Sequence, residues 1–413
     1  MEKDFYVGNR QSFYKKMKAG SCLLLFSGED VCKTNDEAYD FFADRNFLYL
    51  TGIEQKQTIF LAIKRDDGEV KERLYILPKD DYAERWTGRR LTKEEAAKRS
   101  GVEDVRTTDS FDGEFHRLAN SHLFESIYLD LYKCQPQDRN RPAHIFLQTI
   151  RENYPYLAVE DGSIGIRQLR LYKQPCEIEA LRKSEEITRE GIIAMMQNSK
   201  PGLYEYQYKA NFDHALGQHG ARMTGFPPII SAGDNNFCIH YYDYTGQAKD
   251  GDMILNDVGV SCDGMICDVS RGFPCNGKFT DKQKLLYNCA YETSNYMFSI
   301  IKPGMKMADV DRIIKEYNAK LLVEAGVLDD VTNVAKYMWH GGAHHIGFDV
   351  HDVVATPEVI EPNMVFCVDV GIYHEEWGIG FRLEDNCLVT EDGCENLSKD
   401  IPRSIEEIER IMK

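Results

Sequence analysis

No stretch of the 413 residues approaches eighteen consecutive apolar side chains, so the sequence predicts no membrane-spanning helix. Its start, Met1-Glu2-Lys3-Asp4-Phe5, lacks the apolar core of a secretory signal, and a cytoplasmic location is expected. Basic charge is scarce: 50 Lys and Arg stand against 67 Asp and Glu, a formal net charge of -17. Nucleic-acid and anionic-membrane partners need basic patches, so neither is expected. The twelve cysteines contain no C-x-x-C pair and read as reduced packing residues of a cytosolic protein. Also missing are a Gly-x-Ser-x-Gly elbow, a phosphate-binding loop and a His-Glu-x-x-His helix, which removes three large hydrolase and nucleotide-binding classes.

The remaining composition, 43% hydrophobic and 28% charged, is that of a globular chain long enough for two domains with real cores. The first part alternates strand and helix signals. Thr58–Ile63, Arg73–Leu77 and Ile127–Leu131 read as strands, and Leu91–Arg99 as a helix with Thr92 as N-cap and Glu94 and Glu95 in its first turn. This predicts an α/β domain of about 170 residues, with a boundary near Lys173-Gln174-Pro175.

Beyond it, helical periodicity runs from Glu177 to Asn198, from Asp281 to Ile301 and from Asp309 to Ala325. A duplication is visible. Lys200-Pro201-Gly202 and Lys302-Pro303-Gly304 each follow a long helix, and Met253–Val260 resembles Met364–Ile372. Two copies of one helix-then-hairpin unit predict a pseudo-twofold domain whose four strands share one sheet.

Chemistry concentrates in this second part. His340, His344, His345 and His351 fall within twelve residues on the glycine-rich segment from Trp339 to Asp352, where a regular amphipathic helix cannot form. Imidazole both titrates near neutrality and binds transition metals. Asp257 and Asp268 flank a tight turn at Ser261-Cys262-Asp263-Gly264. A two-residue loop pairs residues whose numbers sum to an odd value, so both aspartates face one side, as direct or diagonal neighbours about 5 to 8 Å apart. Asp369 and Glu384 repeat the pattern. Inward carboxylates on one sheet repel unless protonated or bridged by cations. Salt bridges to Arg271 and Arg382 are the alternative. An oxygen-rich set with one imidazole suits a hard divalent ion such as manganese, and two such ions form a hydrolase pattern.

In this order, Asp257, Asp268, His344, Asp369 and Glu384 resemble the five metal ligands of the pita-bread metallopeptidases, which include methionine aminopeptidase, prolidase and aminopeptidase P. His340–Asp352, Asn276–Thr280 and Gly378–Asp385 are similar to aminopeptidase P in particular, and Asn46–Gly52 and Trp86–Arg90 extend the resemblance into the first domain. It implies a creatinase-like α/β N-terminal domain over residues 1–170, serving oligomerisation and substrate-pocket contacts. It also implies a catalytic pita-bread domain over 171–413, with helices around a curved antiparallel sheet.

By position, Asp257 would chelate one metal, Asp268 and Glu384 would bridge, and His344 and Asp369 would hold the second. His351 would stabilise the oxyanion, His240 and His340 would line the pocket and move protons, and Arg382 matches the family's pocket arginine. His345 is expected to be a neighbour and not a ligand. The implied activity is that of a manganese-type Xaa-Pro aminopeptidase using a metal-bridging hydroxide, with cobalt, zinc or iron as other ions and peptides with proline second as substrates. A homodimer or homotetramer, with Trp86 reaching a neighbouring pocket, is implied too. Prolidase is the alternative within the fold, and a weakly active binding module the alternative outside catalysis.

The chain departs from the family at Asp369-Val370-Gly371, where the pattern is Glu-Pro-Gly. The carboxylate is one methylene shorter, reaching about 1.5 Å less far. A second departure is Phe42, in a region that often carries an arginine.

Overall fold

A computed structural model describes residues 1–352 and 359–413. They form two compact units, Met1–Arg170 and Leu171–Lys413.

In the first unit, strands β1 (Ser21–Phe26), β2 (Ile59–Lys64), β3 (Val70–Ile76), β4 (Val105–Thr107), β5 (Ser126–Leu129) and β6 (Ala158–Asp161) form one mixed sheet in the order β4-β3-β2-β1-β5-β6. The central runs Cys22-Leu23-Leu24-Leu25 and Phe60-Leu61-Ala62 are buried throughout, as strands covered on both faces require. Helix Lys93–Ser100 starts two residues later than periodicity suggests, because the Thr92 hydroxyl and the Glu95 carboxylate close a capping box on each other's backbone N–H groups. The Asn46–Gly52 motif is helix Arg45–Thr51, opened by Asp44, whose carboxylate accepts from the Asn46 and Phe47 amides.

In the second unit, β7 (Ile229–Ala232), β8 (Met253–Val258) and β9 (Val269–Pro274) form an antiparallel sheet in the order β9-β8-β7. Strands β10 (Val365–His374), β11 (Ile379–Val389) and β12 (Cys394–Asn396) form another. The expected single ladder through all four long strands is not continuous among the described residues. Side chains join β9 to β11 instead: Ser270 Oγ donates to Glu384 Oε2 (2.8 Å), the Asp268 amide to Asn386 Oδ1 (3.0 Å), and Arg271 Nη1 to the Glu384 carbonyl (2.8 Å). Polar side chains here satisfy groups that main-chain pairing satisfies elsewhere.

The long helices are Pro175–Gln197, Glu205–Gln218, Asp281–Ile300 and Met307–Glu324. Pro175 sits at the first helical position, where its missing N–H costs nothing. Ile192, Met195, Phe212, Phe273, Leu286 and Phe381 belong to the core these helices make with the strands. Every residue of β10 and β11 is buried. No helix among the described residues is long and apolar enough to cross a membrane.

Candidate active site

Two hairpins position the carboxylates. In the first, Asp257 pairs with Ser270 and Val258 with Val269, while Ser261 pairs with Ile266 and Cys262 with Met265. All these pairs share one register around the turn Asp263-Gly264, whose two residues have φ of 49° and 89°, as a type I′ turn demands. Continued through that register, Asp268 lies opposite Gly259 and diagonal to Asp257. The strands press together there: a Cβ on Gly259 would fall 1.8 Å from the Cys267 carbonyl oxygen. In the second hairpin Asp369 and Glu384 are direct partners.

The glycine-rich histidine segment lies along the free edge of β10. The Asp369 amide donates to the Gly342 carbonyl (2.8 Å) and the Cys367 amide to the His344 carbonyl (2.9 Å). Behind it, Lys173 Nζ and Asp352 Oδ2 form a buried ion pair at 2.8 Å, and the Asp352 amide donates to the His345 carbonyl (2.7 Å). The segment is held at both ends, so the His344 ring is delivered to the carboxylates: Nε2 is 3.5 Å from Asp268 Oδ2 and 3.6 Å from Glu384 Oε1.

Among the described residues, donor atoms converge within 4.8 Å of one another in three groups: Asp257, Asp268 and Glu384; Asp268, His344 and His351; and His344, Cys367 and Glu384. Asp369 is in none of them. Its Oδ2 lies 3.2 Å from His340 Nδ1. His345 points away, with Nδ1 at 3.3 Å from the Val365 carbonyl. The His351 ring lies 4.1 Å from that of His344, while His240 is exposed, its ring 6.4 Å from that of Tyr242.

A chain of hydrogen bonds connects the two hairpins. Arg382 Nη2 donates to Asp257 Oδ2 (2.9 Å) and Nη1 to the Tyr373 hydroxyl (2.9 Å), which contacts His340 Nε2 (2.9 Å). His340 Nδ1 lies 2.9 Å from the Gly341 carbonyl, which can only accept, so Nδ1 carries the proton and Tyr373 donates to Nε2. Arg271 does not neutralise a site carboxylate. It pairs with Asp385 on the opposite face at 2.8 Å, both side chains fully buried.

Burial, and then the neighbouring Glu384 carboxylate, push Asp268 and Asp369 well above the usual carboxylate range. Asp257 is also raised by burial, against the pull of Arg382. Burial opposes ionisation of Glu384 as well, yet hydrogen bonding to His344 and Ser270 holds it below its ordinary value. Burial and the adjacent His344 lower His351 to about 4. Among the described residues, Oδ1 of Asp257, Asp268 and Asp369 is in each case buried without a hydrogen-bond partner. Buried carboxylate oxygens of this kind are costly, and divalent cations among them supply what the protein does not. The donor set therefore fits metal.

Sequence reasoning missed Tyr373, Ser270, Cys367 and Asn386. Strand parity could have found them, since Cys367 and Tyr373 share a face with Asp369, Ser270 with Asp268, and Asn386 with Glu384.

Carboxylates and an imidazole gathered on paired hairpins define a metal-dependent hydrolase. Residues 179–391 match metallopeptidase family M24, and residues 6–128 match the aminopeptidase P N-terminal domain. The Xaa-Pro aminopeptidase of Escherichia coli K12 is 30% identical over 98% of this chain and 96% of its own length. A Bacillus anthracis protein provisionally assigned as an aminopeptidase P superposes with a TM-score of 0.97 at 34% identity, covering 100% of this chain and 98% of that one. Escherichia coli aminopeptidase P with the inhibitor Pro-Leu gives 0.92 at 29% identity, with the same coverage. The chain belongs to metallopeptidase family M24, and its fold is the two-domain aminopeptidase P fold with a C-terminal pita-bread domain.

Proposed function

We propose that this enzyme removes the N-terminal residue from peptides whose second residue is proline, and that it does so in the cytoplasm with manganese as its metal. The convergence of Asp257, Asp268 and Glu384, with His344 against two of them, carries the reading. Asp257, Asp268 and Glu384 would hold one ion; His344 and Asp369, with the shared Asp268 and Glu384, would hold the other. Bound there, divalent ions polarise the scissile carbonyl and lower the pKa of an attacking water. The names of the similar proteins in Escherichia coli point to the Xaa-Pro bond.

The remaining roles belong to the protein's own side chains. His351, beside His344, would donate a hydrogen bond to the developing oxyanion. His340, joined to Tyr373 and Asp369, would pass a proton toward the departing proline nitrogen, which has no N–H before cleavage. Arg382 orients Asp257 while anchoring Tyr373. His240, exposed at the rim, would line the approach.

We also assign a homodimer or homotetramer built through the first domain. Trp86 is 76% exposed on helix Asp81–Thr87, and the Arg45 guanidinium stacks 3.5 Å over the Phe42 ring. Trp86, and Phe42 at 43% exposed, present apolar surface suited to a partner copy.

Incubation of the manganese-loaded protein with Xaa-Pro-Xaa tripeptides and Xaa-Pro dipeptides, followed by mass spectrometry, tests the activity. Release of the first residue from tripeptides is expected. Cleavage of dipeptides alone means prolidase, and no turnover with any of several metals overturns the assignment.

A further inference from the structure

We propose that Cys367 supplies a sulfur ligand to the ion held by His344, so that the two metal positions differ in softness. One is all oxygen, at Asp257, Asp268 and Glu384; the other would add the Cys367 sulfur to the His344 nitrogen and to the carboxylate oxygens of Glu384, Asp268 and Asp369. The proposal rests on the metal-centre reading above.

Cys367 stands two residues before Asp369 on β10, so its side chain shares the face that carries Asp369, and its partner Asn386 shares the face of Glu384. It is fully buried, and its amide is tied to the His344 carbonyl at 2.9 Å, which fixes the strand against the histidine. Its Sγ, a His344 ring nitrogen and a Glu384 oxygen lie within 4.8 Å of one another. Donors on a single zinc ion sit about 3.6 Å apart, so a shift of roughly 1 Å brings all three onto one cation. Asp369, the ligand implied by family resemblance, joins no such group and leans on His340 instead. Among the described residues, Oδ1 of Asp268, 4% exposed, and of Asp369, 7% exposed, has no hydrogen-bond partner, and both residues adjoin this group: Asp268 Oδ2 lies 3.5 Å from His344 Nε2, and Asp369 pairs directly with Glu384.

A thiol binds metal as the thiolate, releasing its proton to solvent. Sulfur favours zinc, cobalt or ferrous iron over manganese, whereas the all-oxygen position keeps the manganese preference. A chain with a shortened carboxylate at Asp369 thus gains a donor from the same strand face.

The test is X-ray absorption on the metal-free full-length protein reloaded with two equivalents of zinc, with retained zinc counted after desalting. We expect two zinc ions per chain and a sulfur shell at about 2.3 Å, averaging one sulfur per two zincs. Cys367→Ser should abolish that shell. Cys387→Ser, a buried cysteine on the opposite face of β11, should leave it intact. Two retained zincs with only nitrogen and oxygen neighbours overturn the proposal while leaving the metal centre standing. Failure to retain zinc or manganese overturns the centre itself, and the sulfur ligand with it. Should Cys367→Ser not fold, wild-type protein loaded with one equivalent each of manganese and zinc decides. Sulfur at the zinc edge alone is expected, and sulfur at neither edge overturns the proposal.

Discussion

The two hairpins of the second unit carry the same number of site carboxylates in different ways. The first pairs strands of six residues around a two-residue turn, and its aspartates are diagonal neighbours across Gly259. The second pairs strands of ten and eleven residues, wholly buried, and its carboxylates face each other directly. In the first, Arg382 pairs with Asp257 at 2.9 Å; in the second, Asp369 Oδ2 lies 3.2 Å from His340 Nδ1, whose imidazole burial keeps neutral. Strand parity is enough to put each pair of carboxylates on one face of its hairpin. The offset between partners and the identity of the neighbouring cation decide which of them a metal can collect.

The largest effect that would sharpen this contrast comes from Asp268, which lies against both His344 and the first-hairpin group. Asp268→Asn should lower kcat/KM by at least ~10³-fold, or ~4 kcal/mol, with loss of bound metal measured in the same sample. Activity within tenfold of wild type would show that the hairpins do not share an ion through this residue.

Next is the tie between the hairpins on their opposite face. Arg271→Met leaves the fully buried Asp385 with Arg403 as its remaining guanidinium, and should cost about 3 kcal/mol of unfolding free energy in urea. A cost under ~1 kcal/mol would mean the hairpins are stabilised independently.

Glu185, behind the second hairpin and hydrogen-bonded to Ser398, gives a pH signature. Burial raises it to about 8. The folded state keeps this proton while the unfolded chain loses it, so the contribution to stability is fully present below the unfolded pKa. It is lost as pH rises from about 4.3 through about 8. Stability should fall by on the order of 4 kcal/mol between pH 5 and 8 on this account, and Glu185→Gln should flatten the decline. An unchanged pH profile in that variant would show that Glu185 ionises normally.

The smallest change concerns Asp369. Asp369→Glu restores the longer reach and should tighten the second-site metal by about tenfold, read by calorimetric titration. Unchanged affinity at both sites would show that carboxylate length does not separate the hairpins.

Much of this was legible from residue order. The parity of 257 with 268 and of 369 with 384 put each pair on one face, and both registers keep it. Thr92 with Glu95 announced a helix start, misplaced by two residues only because the cap itself is not helical. Tyr373 and Cys367 were equally available to parity, but nothing local to them suggests chemistry. The continuous sheet was an overreach. Repeated strands resemble each other in sequence whether or not their edges pair, since pairing depends on how two distant hairpins approach.

The sequence by itself determined which side chains share a face, where the tight turn falls and which residue types gather, because those follow from the period of two and from turn chemistry within a few residues. Only the tertiary structure decided that Arg382 serves Asp257 while Arg271 serves Asp385, that His344 reaches two carboxylates while His345 does not, and that Asp369 turns to His340. These partners lie up to 125 positions apart in the chain. Their distances are set by packing, which no local pattern encodes.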